Sequence, residues 1–510
     1  MESFLQRHAD SVTGVLMGWD RLLFRGSLMS LSYPDGLGAF LGSRKILYKD
    51  YGKWARQMFE RLKDHAEQMA ERAGREFRYL SSSAVSKEQV AREIIDRDGI
   101  TEGLVCVLSC VESCITLSIG RDPVKKHLKL VKQERKCLHL YFYYLDREFG
   151  LMHVRLQTWL PFGISVCLNG RDYLARRMEK AGIGFEQRDN CFARIDDLPR
   201  AQKMLDDLDR RRWDRTLDAM AKRVNPLLKE LDLWGYYWSV RESEYATDVM
   251  FKDEKSLAAL YPLLVDQAMK QMGSQDVLRF LGRRTNSRFN GEVTSDIQVR
   301  REGTRIKHRV EENSIKMYDK QGCVLRIETT INNPKRFRVY RPVRHKGRRV
   351  KRWATMRRGV CDMYRRAQVC QAANARYLQA LSVVGQTAVI SRVLDPVSRR
   401  ITKDARPYRA LRPVSADETR VFEIVMQGKF LLNGFTNADL RQQLLGDPGD
   451  DPGNKRRQSG QITRLLRLFR AHGLIGKVST TRLYRITERG QHLMNAALRI
   501  RQTDISKLAA

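Results

Sequence analysis

Between Lys335 and Arg358 the chain places twelve Lys or Arg in twenty-four residues, without a single Asp or Glu. Such a stretch cannot be packed inside a protein, because each unpaired cation withdrawn from water costs several kcal/mol. It must lie on a surface, and the rest of the chain has to supply the cores beneath it. Phe337, Tyr340 and Trp353 are interleaved with the charges. Phosphate-neutralising cations alternating with rings suit a surface on which unpaired bases stack. The run follows the strand-like VLRIETTI (324–331) and reads as a groove wall rather than a free tail, passing from strand to helix. Arg344, Lys346, Arg348, Arg349, Lys351, Arg352 and Trp353 are its candidate nucleic-acid contacts.

The whole chain shares this bias. Lys and Arg number 94 against 59 Asp and Glu, a formal charge of +35. An apolar content of 42% is enough for packed cores and excludes a disordered polyelectrolyte. The expected partner is DNA or RNA or both. A membrane partner is not expected: no apolar run approaches 18 residues, and no basic amphipathic helix or lipidation motif is visible. MESFLQRHADSV lacks the apolar core of a secretion signal, so a cytoplasmic protein is expected. Its nine cysteines, an odd number, then read as reduced thiols. Cys106, Cys110 and Cys114 share one strand face as core thiols, and Cys137 with His139 reads as a strand pair, not a site. Oligomeric state is not legible.

The 510 residues exceed one ordinary core. The alternation of strand-like and helical runs predicts a mixed α/β multidomain body with mixed sheets. One α/β domain is expected over 1–235 and a second over 236–397. A polar linker with Pro407 and Pro413 follows over 398–417, then a compact module over 418–510. GVLMGWDRLLFRGSLMSL (14–31) reads as a hairpin broken around Gly18 to Arg21, and YYWSVRESEYATDVMF (236–251) as a strand pair. A charged helix is expected from about Leu198 to Glu230. EVTSDIQVR, RIKHRV to IKMYDK, and VLRIETTI read as further strand segments.

In the last module FTNADLRQQLL is a helix with Thr436 as N-cap and Asp439 at the capping-box position. A polar loop through Pro448, Gly449, Pro452 and Gly453 precedes a helix from Ser459 to His472, whose apolar face is Ile462, Leu465, Leu466 and Phe469. LIGKV and RLYRIT then read as a hairpin before a last helix. This order resembles a winged helix of the MarR-like type. The resemblance implies that 459–472 is a recognition helix, with Gln461 and Arg464 toward base edges. It also implies phosphate contacts from Arg467, Arg470, Lys477 and Arg482.

Neither a G-x-x-x-x-G-K-[ST] loop nor a G-x-G-x-x-G fingerprint is present, which argues against nucleotide-driven motors and dinucleotide enzymes. The chemistry left open is metal-dependent phosphodiester cleavage, which needs carboxylates brought together from strands around Mg²⁺. Asp20, Glu244, Asp248, Asp296 and Glu328 lie in or beside strand-like runs. Glu244 and Asp248, four apart, point to one side of an extended strand. VLMGWDRLLFRGSL, with Asp20 at its centre, resembles the first strand of ribonuclease-H-like nucleases. SIKMYDKQGCVLRIETTINN (314–333) resembles a segment of phage and plasmid replication initiators. The chain departs from the HUH class of those initiators, since no two histidines flank a single residue. The competing role for all five carboxylates is ion pairing with surplus arginines. The expected function is nucleic-acid binding, to DNA through the winged helix with a basic groove in the body, in a mobile element or a ribonucleoprotein. The alternative is a Mg²⁺-dependent nuclease or transposase acting on DNA or RNA.

Overall fold

The glycines of the first apolar run decide its conformation. A Cβ on Gly14 would lie 2.4 Å from the Leu198 side chain, and one on Gly18 would lie 2.3 Å from Leu205. Both are close-approach positions, not turn positions. Val12–Ser27 is accordingly one sixteen-residue strand, β1, where a hairpin was expected, and Asp20 sits mid-strand. Tyr237–Phe251 is likewise one strand, β9, instead of a strand pair.

A computed structural model of the chain describes residues 1–124, 126–283, 291–300, 303–345, 347–382, 384, 393–447, 449, 451–479 and 481–502. The fold is mixed α/β with a large mixed sheet. It comprises two compact units, each assembled from separate stretches of chain. The expected boundary at 235/236 falls inside the second unit, and that at 397/398 inside the first. Among the described residues no helix is long and apolar enough to cross a membrane.

The second unit is built from Gly14–Met250 and Glu328–Gln371. Besides β1 and β9 it holds β2 (Glu76–Leu80), β3 (Gly103–Arg121), β4 (Leu128–Asp146), β5 (Gly150–Gln157) and β6 (Ile164–Asn169). A small hairpin, β7 (Phe185–Arg188) and β8 (Cys191–Ile195), stands apart from the sheet. The strand order runs β9-β1-β6-β5-β4-β3-β2, and the end of β13 (Val324–Ile331) lies on the outer side of β9. Only β2, of the pairs with a described register, runs parallel to its neighbour. Helix Tyr51–Arg72 buries Tyr51, Ala55, Met58, Leu62, Ala66 and Ala70 on one stripe, the i, i+4, i+7 spacing of an amphipathic helix. The charged segment from Leu198 is three helices, Leu198–Arg210, Trp213–Val224 and Leu227–Glu230. Pro226 stands where the chain turns into the last of them.

The first unit carries β10 (Val293–Arg300), β11 (Gly303–Val310), β12 (Asn313–Lys320) and the start of β13, in that order. The expected 305–320 segment is thus two strands, turning at Glu311, whose φ is +56°. The C-terminal part of this unit packs Phe422, Phe435, Leu440, Ile462, Leu466, Phe469, Leu474 and Leu493 into one core. Its helices are Ala416–Val425, Gly428–Asn433, Asn437–Leu445, Pro452–Ala471 and Glu488–Gln502. Thr436 and Asp439 form the expected capping box. Ile475–Lys477 pairs with Tyr484–Ile486, and Phe435 bridges to Tyr484.

Two expectations for this region need correction. The helix placed at 459–472 begins seven residues earlier, because Asp451 caps the amides of Gly453 and Asn454 and Pro452 occupies the first turn. Residues 398–417 are also not a free linker. Ile401–Lys403 and Arg406–Tyr408 form a hairpin, and Leu411 is buried in the C-terminal core. Arg409 pairs with the buried Glu418 at 2.7 Å, and its carbonyl meets His472 Nε2 at 2.9 Å.

Candidate metal centre and basic ribbon

The strand order β13-β9-β1 has a chemical consequence. Asp20 on β1, Glu244 on β9 and Glu328 on β13 come from three neighbouring strands. Each offers a carboxylate oxygen within 4.8 Å of the other two. Asp20 is 4% and Glu328 3% exposed, while Glu244 is half-buried. Carboxylates gathered this closely, away from bulk water, repel one another unless protons or cations offset them. The Asn190 side-chain amide, from the turn between β7 and β8, donates to Asp20 Oδ2 at 3.2 Å. An all-oxygen set of this kind suits Mg²⁺ or Mn²⁺, not a thiophilic metal.

A polar cavity of about 220 Å³ adjoins the cluster, lined by Asp20 and Glu244 together with Arg21, His153, Asp172 and Asn190. Asp172 lies in the first turn of helix Gly170–Ala181, whose N-cap is Asn169. Burial pushes the Asp172 carboxyl up to about 6, with the Asp20 charge adding to the rise and Arg92 opposing it. Burial and the Arg21 charge hold His153 down at about 4, so its ring is neutral. Trp19, next to Asp20, donates from Nε1 to Asp209 at 2.7 Å and meets Tyr245 edge-on. These contacts fix the strand on which Asp20 stands.

Asp248 and Asp296 lie elsewhere. Asp248 shares a strand with Glu244, but four residues of strand span about 13 Å. One ion cannot bridge that distance, so facing the same side is not enough. Asp248 is instead 1% exposed and paired at 2.8 Å with Arg171, which is fully buried. Asp296 is in the first unit, half-buried, and pairs with Arg305 at 2.8 Å.

The basic run continues into neither tail nor helix. Arg338–His345 (β14) and Arg348–Thr355 (β15) pair as an antiparallel ribbon, about 26 Å long from eight residues a strand. Phe337, Val339 and Met356 are buried at its base. Arg344, Arg348, Arg349, Lys351, Arg352 and Trp353 are all exposed along it, and Lys346 lies outside the described residues. Arg341 stands opposite Arg352, and Arg344 opposite Arg349. Like charges directly across a strand pair are destabilising, so the ribbon holds a charge density that an anionic partner would relieve. Trp353 (63% exposed) sits against Tyr340 with ring centres 6.1 Å apart.

In the C-terminal helix Gln461, Arg464, Arg467 and Arg470 are exposed, as are Lys477 and Arg482 beyond it. The earlier helix start puts Gln461 and Arg464 mid-helix and brings Lys455, Arg456 and Arg457, also exposed, into its first turns. The Asp-Pro pair at 451–452 is the sequence signal for this earlier start. No family model, curated protein or solved structure matches the chain.

Proposed function

We propose that this chain is a nucleic-acid-binding protein whose second unit cleaves phosphodiester bonds with the help of a divalent cation. The observation that carries the reading is the convergence of Asp20, Glu244 and Glu328 from three neighbouring strands of a strongly basic protein. A Mg²⁺ or Mn²⁺ ion held there would supply Lewis-acid polarisation of a phosphate oxygen and acidification of attacking water. Asp20, Glu244 and Glu328 are the residues to hold it, and Asn190 orients Asp20. Asp172, titrating at about 6 beside the cavity, is placed to take a proton from water at neutral pH. The basic ribbon in the same unit is the surface that attracts the phosphate backbone. A two-stranded ribbon also has the width of a duplex major groove. Glu328 lies within the 314–333 segment that resembles replication initiators, which fits a role in nucleic-acid processing.

For the C-terminal part of the first unit we infer a winged helix. The order helix, bridge at Phe435, helix, long helix and strand pair supports it. With the helix starting at Pro452, Lys455, Arg456 and Arg457 join Gln461 and Arg464 as the residues nearest a groove. In that reading the winged helix selects duplex sites and the second unit cuts.

The test is incubation of labelled duplex DNA, single-stranded DNA and RNA with the protein and Mn²⁺ or Mg²⁺. Metal-dependent cutting that disappears in Asp20→Asn, Glu244→Gln and Glu328→Gln supports the enzyme. Binding without cutting of any substrate leaves only the nucleic-acid-binding part.

A further inference from the structure

A second group of metal-ligating side chains lies across the β3–β4 pair. Register places Glu112 opposite Cys137 and Cys110 opposite His139. Cys114 reaches diagonally to Cys137, with the two sulphurs 2.7 Å apart. Cys114, Cys137 and His139 each offer one ligand atom within 4.8 Å of the others. The pairing across the hairpin is what gathers them. Read along the chain, Cys114 belongs to a run of core thiols and Cys137 with His139 to a strand pair.

The histidine has one ring nitrogen engaged by the backbone and the other open. Its ring is 1% exposed, and Nδ1 lies 3.2 Å from the Cys137 backbone carbonyl. A hydrogen on Nδ1 donated to that carbonyl leaves the lone pair on Nε2. Nε2 is buried and has no hydrogen-bond partner. Metal-bound histidines use this arrangement, one ring nitrogen donating to a carbonyl and the other ligating. Burial, helped by the Arg155 charge, holds the ring neutral, down at about 4. The Cys114 and Cys137 sulphurs share one hydrogen bond, with either atom able to donate. Nearby Lys87 and Arg155 are both paired to Glu112, at 3.1 and 2.8 Å. Their charges are thus partly taken up before a cation arrives.

We propose that Cys114, Cys137 and His139 Nε2 form a binding site for a thiophilic divalent cation, Zn²⁺ in the first instance. Two thiolates and an imidazole are a zinc-type donor set, and three protein ligands leave a fourth position for water or an external ligand. Tetrahedral zinc with bonds of about 2.3 Å separates its sulphurs by about 3.8 Å. The two thiols must therefore part by about 1 Å on binding, a rotation of half-buried side chains. The set differs in kind from the all-oxygen cluster on β1, β9 and β13, and does not depend on it.

The test uses the full-length protein purified under reducing conditions, stripped with chelator and titrated with Zn²⁺ or Co²⁺. One equivalent of Co²⁺ should produce a thiolate-to-cobalt charge-transfer band that Zn²⁺ abolishes. Cys114→Ser, Cys137→Ser and His139→Ala should each weaken or remove the band, while Asp20→Asn retains it. In wild type, which needs no folding control, Zn²⁺ should slow alkylation of Cys114 and Cys137 and leave the exposed Cys361 unaffected, read by peptide mass spectrometry. Absence of a charge-transfer band together with unprotected thiols overturns the proposal. So does Cys114–Cys137 disulfide formation in air with no zinc uptake by the reduced protein.

Discussion

Replacing Asp248 by Asn separates a structural carboxylate from the three at the proposed metal centre. The Arg171–Asp248 pair is 2.8 Å long, and its side chains are 0% and 1% exposed. At an effective dielectric of 20, unit charges at that distance attract by about 6 kcal/mol, and the cost of keeping both ions from water offsets part of this. Asn keeps the shape but strands the guanidinium, whose Nε and Nη1 already lack partners. The expected loss is about 3–5 kcal/mol, the range for breaking a buried pair. Against a typical stability of about 5–15 kcal/mol the variant should still fold at low temperature. Urea unfolding followed by far-ultraviolet circular dichroism reads the loss as a lower midpoint. The double replacement Arg171→Met with Asp248→Leu should be less destabilised than Asp248→Asn, because no buried charge remains. Below its transition Asp248→Asn should keep wild-type metal dependence. A change under about 1 kcal/mol would refute the buried-pair argument. Loss of metal binding at unchanged stability would instead make Asp248 a ligand.

Replacing Arg348, Arg349, Lys351 and Arg352 by Ser should weaken binding to every sequence and flatten its salt dependence by up to about 0.9 per lost phosphate contact; an unchanged slope in a salt titration removes the ribbon as the binding surface. Trp353→Ala should weaken single-stranded DNA by about 1–3 kcal/mol and duplex by less, compared by fluorescence anisotropy. Burial raises the Asp209 carboxyl to about 7. A group protonated more readily in the folded than in the unfolded state lends stability that falls as pH rises from about 4 to 7. Asp209→Asn should flatten that part of the curve of stability against pH, monitored by circular dichroism. Limited proteolysis should spare 398–417 as well as the C-terminal core, since Leu411 is buried there; rapid release of an intact 418–510 fragment contradicts that packing.

The acids of the candidate site were legible as acids set within apolar, strand-like runs, where they need a reason to be. Their convergence was not. Asp20, Glu244 and Glu328 are brought together by the order β13-β9-β1, and nothing local in the sequence encodes which distant strands become neighbours. Gly18 looks like a turn from the chain alone, and only Leu205 packed against it reveals a continuous strand. Pro452 and Gly453 conceal a helix start for the same reason: proline and glycine break an element or begin one, depending on the cap beside them. Thr436 and Asp439 were readable because a capping box is complete within four residues. Cys114 and His139 needed the β3–β4 register, a pairing across 25 residues of sequence.

In the proposed metal centre three strands share one cation through Asp20, Glu244 and Glu328. Equilibrium binding of Mn²⁺, followed by the loss of the free-ion electron paramagnetic resonance signal, tests it directly. Wild type should take up Mn²⁺ saturably. Asp20→Asn and Glu328→Gln should lose that uptake while Asp248→Asn, Asp296→Asn and Cys114→Ser retain it. Uptake undiminished in Glu328→Gln, or none in wild type, would contradict the claim.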